Sequence, residues 1–332
     1  MGVLLLSEKD VKELLTMKDV IDACEKTFTN WGDGKVVCPA KVTLELGEDA
    51  EWPPFKNGLN AMPAYVDWMK SAGIKCIGGS LNNPSQGLPY IIALILLFAP
   101  ETGVFKAIMD GELITNYRTG AQAAIAAKHL TKKKTIELGI LGAGAQGRTQ
   151  LLAFNDVFSI SRLVIYDINA EASAKYVAEM SGLISCPIEI KETPRKVFEK
   201  AEIVVSVTHG REKSIKNDWL HPGQIVLPMG SFTECEDAIF LDGKKVVVDH
   251  VEQAFHRGAL KSVVEQGKFT RGNLYGTIGE IVSGKKEGRE SEDEIIVCIP
   301  IGTGAMDVTC ATVVYEKALK NKKGFQFQFN AL

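Results

Sequence analysis

The chain has 332 residues, 45% of them apolar and 24% charged, with a formal net charge of -3. That length is too great for one comfortable core and suits two domains. The near-neutral balance gives no reason to expect nucleic acid as a partner, because the basic runs at 132–134 and 320–323 are short and flanked by neutral sequence. The seven cysteines are widely spaced without a C-x-x-C, and the five histidines form no cluster at ligand spacing. Reduced core thiols and no metal are expected. The longest apolar run, 91–99, is less than half a membrane span, and the apolar stretch in MGVLLLSEKD is too short for a signal peptide. A cytoplasmic protein is therefore expected, with no membrane contact.

Ser7 and Thr16 each stand three residues before an aspartate, Asp10 and Asp19, in capping-box fashion. Two short helices should open the chain, the second carrying its apolar face to about Trp31. From Val36 to Phe105 the pattern turns β-like: KVTLEL alternates, GIKCIGGS and PYIIALILLF are strand candidates, and Gly, Pro and Asn clusters separate them. Within this stretch, 48–58 (EDAEWPPFKNG) is either a lid carrying Trp52 and Phe55 or an ordinary rigid turn. RTGAQAAIAAKHL (118–130) is alanine-rich and predicts a helix leading into the next strand.

The most specific signal follows. An apolar strand over 136–141 runs into Gly142-Ala143-Gly144-Ala145-Gln146-Gly147, a full G-x-G-x-x-G. A helix over 148–154 comes next, then a strand ending in Asp167, twenty residues after the last glycine. Gly142 allows the tight turn, Gly144 removes a side chain that would block a pyrophosphate, and Gly147 lets the helix lie close on the strand. The helix N-terminus and the free NH groups at Ala145 and Gln146 would face the phosphates. Asp167 can accept both ribose hydroxyls and would repel a 2'-phosphate, so NAD is expected over NADP. A third run, 201–210, ends beyond Thr208, where a nicotinamide ribose would lie, and 225–231 and 244–250 read as the next strands. A doubly wound parallel sheet is predicted. Short helices near 260 and 280, a charged loop at 287–294 and a last amphipathic helix over 311–320 complete the chain.

If a nucleotide supplies hydride chemistry, the N-terminal part must hold a substrate and manage its charge. Lys75, inside an apolar strand, needs a partner, and Arg118, read as the start of a helix, opposes the dipole there. Both could grip a substrate carboxylate. An internal ion pair for Arg118 and an edge-strand lysine at 75 are the alternatives.

MPAY (62–65), GIK (73–75), Asn82-Asn83-Pro84 with Gly87-Leu88-Pro89, ETG (101–103), MDG (109–111), RTGAQAA (118–124), GAGAQG (142–147) and GTGAMD (302–307) resemble the ornithine cyclodeaminase and mu-crystallin family, in that order and at matching intervals. The resemblance implies an α/β fold, a Rossmann doubly wound sheet over 121–307 plus an α+β substrate and dimerisation domain formed by 1–120 with 308–332. It also implies a homodimer holding NAD(H) or NADP(H) and an amino or imino acid substrate. By position it implies that Lys41 and Arg118 bind the substrate carboxylate and that Lys75 is the family's substrate-binding lysine, with Lys75 and Arg118 catalytic. Asn60 would line the same pocket. Arg118, Thr119, Gly230, Ser231 and Ile301 would join the glycine turn, Asp167 and Thr208 around the cofactor.

Two departures shape the functional expectation. Ser231 stands where cyclodeaminases and the alanine dehydrogenase of this family carry an aspartate, and Asn60 where ornithine cyclodeaminases carry a glutamate. Without those carboxylates the expected reaction is NAD-dependent oxidoreduction at the C–N bond of a 2-amino or 2-imino acid. Lys75 would act as acid or electrostatic anchor, its pKa lowered by neighbouring cations. A redox-neutral ornithine or lysine cyclodeaminase is the alternative, and a non-catalytic nucleotide or small-ligand binder a second. Glu234, Glu236 and Asp237 could replace the absent carboxylates, although a surface turn is their expected role.

Overall fold

A computed structural model describes residues 2–46, 57–80, 82–208, 213–230 and 233–329. The chain divides into two compact units, Met1–Arg118 with Thr303–Leu332, and Thr119–Gly302. The proposed lid lies almost entirely outside the described residues, as does Ser231.

In the first unit, Ser7 and Thr16 each close a capping box, with Asp10 and Asp19 respectively, and start the helices Glu8–Leu14 and Met17–Gly32. The sheet of this unit runs in the order Phe325–Gln328, Gly2–Leu6, Phe105–Asp110, Ile91–Phe98, Ser71–Gly79, Asn57–Val66 and Val36–Val37, with Val42–Leu46 also paired to Asn57–Val66. Among the described strands of this sheet, only the pairing of Gly2–Leu6 with Phe105–Asp110 is parallel. The two strands at one margin, Gly2–Leu6 and Phe325–Gln328, are absent from the sequence reading. Each is too short to display a period.

One face of this sheet is covered by helices. Gly304–Asn321 packs across Asn57–Val66, Ser71–Gly79 and Ile91–Phe98, and also against Met17–Gly32. It begins seven residues before the helix expected at 311, because Gly304–Asp307 of the GTGAMD motif form its first turn. A Cβ on Gly304 would sit 2.5 Å from the Met62 carbonyl oxygen, so only glycine lets that turn approach the strand so closely. The opposite face presents Val42, Leu44, Leu59, Ile92 and Leu94, all more than 40% exposed.

The second unit holds a parallel sheet in the order Ile188–Ile190, Ser159–Tyr166, Thr135–Leu141, Ile203–Ser206, Ile225–Pro228, Ile296–Ile299, Lys245–Val248 and Gly276–Thr277. The first five positions reproduce the 3-2-1-4-5 order of a doubly wound dinucleotide fold, and the sixth is taken by the last strand of the sheet in chain order. Ile296–Ile299, fully buried, inserts between the two strands read as neighbours from the sequence. Four apolar residues behind a charged loop gave no distinguishing pattern. Among the described residues, no helix is long and apolar enough to cross a membrane.

Candidate active site

The glycine turn lies where the strand order reverses, between the carboxyl ends of Thr135–Leu141 and Ile203–Ser206. Each of its glycines meets the demand that its position predicts. Gly142 has φ +104° and lies so close to Val207 that a Cβ would touch the latter's carbonyl oxygen at 3.0 Å. A Cβ on Gly144 would stand in open space, the room a pyrophosphate needs. One on Gly147 would strike the Gly142 carbonyl oxygen at 2.2 Å, so the helix is drawn hard against the turn. That helix is Ala145–Val157, longer at both ends than expected. Gly144 and Ala145 are exposed and Gln146 is half-buried, leaving the helix N-terminus accessible. The turn therefore fits a dinucleotide phosphate.

Asp167 stands beside the turn. Its carboxylate accepts the Ala143 NH at 2.7 Å and the Asn169 NH at 2.9 Å, which fixes it at the strand end. Thr208 and Gly230 lie just past two neighbouring strands, both half-buried. Ile301 packs against the core of the same unit, next to Gly302, whose NH donates to buried Asp249 at 2.6 Å. Asp249 also accepts from Gln122 at 2.8 Å. Thr119 is half-buried on the helix Glu112–Leu130.

In the other unit, Lys75 is fully buried. Its strand is central, flanked by Asn57–Val66 and Ile91–Phe98, so the edge-strand reading fails. Lys75 lies opposite Met62 and Ile95 on the helix-covered face. Its ammonium meets Asp307 Oδ2 at 2.7 Å and donates to Thr115 Oγ1 at 3.3 Å. Asp307 Oδ1 accepts from Arg118 Nε at 3.0 Å. One buried carboxylate thus spans the two cations singled out from the sequence. Burial, reinforced by the Arg118 charge, pushes the Lys75 ammonium down to about 8 despite Asp307.

Arg118 is not at a helix start. Asp110 accepts the Glu112 NH at 3.1 Å and the helix runs Glu112–Leu130, so Arg118 lies well inside it, and its compensating anion is Asp307. Asp307 itself was missed. It occupies the first turn of Gly304–Asn321, where a carboxylate also suits the helix dipole.

Asn60 shares the Lys75 face of the sheet by register, two residues before Met62, and accepts from Thr43 Oγ1 at 2.8 Å. Lys41 stands half-buried just before Val42–Leu46. Glu234 is not on a surface turn: it is 1% exposed. Glu236 and Asp237 are ion-paired with Lys216 and Lys213, as the expected solvated turn would have them.

The sequence profile of the ornithine cyclodeaminase/mu-crystallin family matches residues 2–322. Alanine dehydrogenase of Archaeoglobus fulgidus is 35% identical over 334 residues, covering 99% of each chain. The solved structure of an archaeal alanine dehydrogenase dimer with bound NAD superposes with a TM-score of 0.91 at 33% identity, covering 99% of this chain and 100% of that one. The Thermococcus litoralis Δ1-pyrroline-2-carboxylate reductase, solved with NADH and L-proline, gives a TM-score of 0.90 at 32% identity over 97% and 99% of the two chains. With its glycine turn, its strand order and these likenesses along nearly its whole length, the chain belongs to the ornithine cyclodeaminase/mu-crystallin family.

Proposed function

We propose that this chain is an NAD-dependent oxidoreductase that acts on the C–N bond of a 2-amino or 2-imino acid, as a homodimer in the cytoplasm. The observation that carries the reading is the Lys75–Asp307–Arg118 cluster. Two buried cations share one carboxylate, so these three groups together hold an excess positive charge that the carboxylate of a small amino or imino acid would neutralise. Arg118 offers that carboxylate a guanidinium fork held in place through Nε. Lys75, with its ammonium near 8, can hold or release a proton close to neutral pH, which suits protonation at the substrate nitrogen. NAD held at the glycine turn would supply or accept hydride at the substrate's carbon 2. Asp167, a carboxylate held at the ribose position by the Ala143 and Asn169 NH groups, favours NAD over NADP.

The named relatives support the class, since an alanine dehydrogenase and a pyrroline-2-carboxylate reductase both handle nitrogen on the carbon next to a carboxylate. The seven cysteines are free thiols, as a reducing compartment requires. The test is NADH oxidation with pyrroline-2-carboxylate, piperideine-2-carboxylate, and pyruvate plus ammonia. Turnover with at least one is expected. No turnover with any, together with ammonia release and proline formation from ornithine and catalytic NAD, would replace this reading by the cyclodeaminase.

A further inference from the structure

The nucleotide unit contains a buried acid that the proposed reaction does not use. Glu234 is 1% exposed. Its Oε2 accepts from Ser206 Oγ at 2.5 Å and from Thr208 Oγ1 at 3.2 Å, and its Oε1 accepts the Gly230 NH at 3.2 Å. Its own backbone is fixed too, by a parallel bridge between Cys235 and Ile215 and by the Ile215 NH on the Glu234 carbonyl at 2.9 Å.

The placement of those partners is informative. Ser206 ends the fourth strand of the doubly wound order and Thr208 follows it. Gly230 follows the fifth strand, Ile225–Pro228, its neighbour in the sheet. In such sheets ligands bind outside the carboxyl ends of the strands, and the second half of the strand order, from the fourth strand on, serves the second mononucleotide. The adenosine half is served by the glycine turn and Asp167, on the first and second strands. A single carboxylate therefore ties together the two strand ends that would meet the nicotinamide riboside. By taking the Thr208 proton it also commits that hydroxyl to accepting from whatever else it meets, as a ribose hydroxyl or a carboxamide NH would require.

We propose that Glu234 is a positioning residue for the nicotinamide riboside half of NAD, acting through Thr208 and Gly230. The inference rests on the NAD-dependent reading above. Burial, the largest influence, pushes the carboxyl up to about 7 against the three hydrogen bonds, so the site holds an acid that a packing role alone would not call for.

The test compares NADH, titrated by its fluorescence, with 5'-ADP, titrated by NADH displacement. ADP carries the adenosine and phosphates but no nicotinamide riboside. Glu234→Gln and Ser206→Ala should each weaken NADH about tenfold, the scale of one lost charge-assisted hydrogen bond, and leave ADP affinity within about twofold. Parallel weakening of both ligands, or no change in either, would overturn the proposal. Should Glu234→Gln fail to fold, the Ser206→Ala comparison decides alone. Failure of the unmodified protein to bind NADH would overturn the NAD reading itself, an outcome separable from either of these.

Discussion

Asp307 holds together the two cations that give the proposed site its character, and its removal should be felt first as lost stability. Asp307→Asn leaves Lys75 and Arg118 buried side by side with no shared anion. Breaking a buried pair from one side costs about 3–5 kcal/mol. Lys75→Met leaves Arg118 and Asp307 matched and should cost markedly less, and urea unfolding of the two variants gives the order. Lys75 also makes a prediction in pH. Its folded ammonium titrates near 8, below the ordinary 10.5, because burial and Arg118 disfavour the charge. If it donates the proton to the imine nitrogen, it must be charged at the start. kcat/KM for reduction should then fall as pH rises through about 8, and amino acid oxidation should rise over the same interval. Lys75→Arg, which cannot titrate there, should abolish that inflection in both directions; an unchanged profile would remove Lys75 from proton transfer. The cations were legible in the sequence because charge inside apolar pattern demands a partner. The partner was not, since Asp307 lies more than 180 residues along the chain and only helix packing brings it to them. Glu234 was misread for a related reason: one acid among three in SFTECED has no local mark of burial.

At the scale of elements, the turn Gly142–Gly147 shows two glycines of one motif doing separable work. Gly144 has φ -81° and open space at its Cβ, so Gly144→Ala should fold normally while intruding where a pyrophosphate must sit. Gly147→Ala would force a methyl against the Gly142 carbonyl oxygen and should destabilise by about 1–3 kcal/mol, the usual range for overpacking. Melting temperature should drop for Gly147→Ala alone, and NADH affinity should fall for Gly144→Ala at unchanged melting temperature. The reverse pattern would show that the turn is a packing device rather than a phosphate cradle. The sequence exposed this element because its glycines, flanking strands and terminal acid all follow from one ligand geometry. It exposed helix boundaries less well. Glu112–Leu130 begins six residues and Gly304–Asn321 seven residues before the alanine-rich or amphipathic stretch that announces each helix, since their first turns, ELIT and GAMD, mix polar and apolar residues and are too short to show a helical period alone.

At the scale of the whole molecule, the open face of the first unit's sheet is where the proposed second copy would dock. Antiparallel register aligns Leu44 with Leu59 and places Ala61, Cys76 and Leu94 in one row across three strands. Val42 is 69% exposed, Leu44 54%, Ile92 51% and Leu94 49%. Aliphatic side chains gathered on one sheet face in this way mark an association surface, and the archaeal relative is described as a dimer. A second copy of this chain is the occupant that a two-fold interface would require, and self-complementarity makes such a face sensitive to charge because every substitution enters twice. Leu94→Lys changes a side chain already half in water, so the isolated chain should keep its fold. Across a two-fold interface it would place paired ammonium groups among apolar neighbours. Sedimentation equilibrium should therefore report twice the chain mass for the unmodified protein and a shift toward single-chain mass for Leu94→Lys, with unchanged circular dichroism. A dimer that survives this substitution at micromolar concentration would show that the copies associate elsewhere and that this apolar face has another purpose.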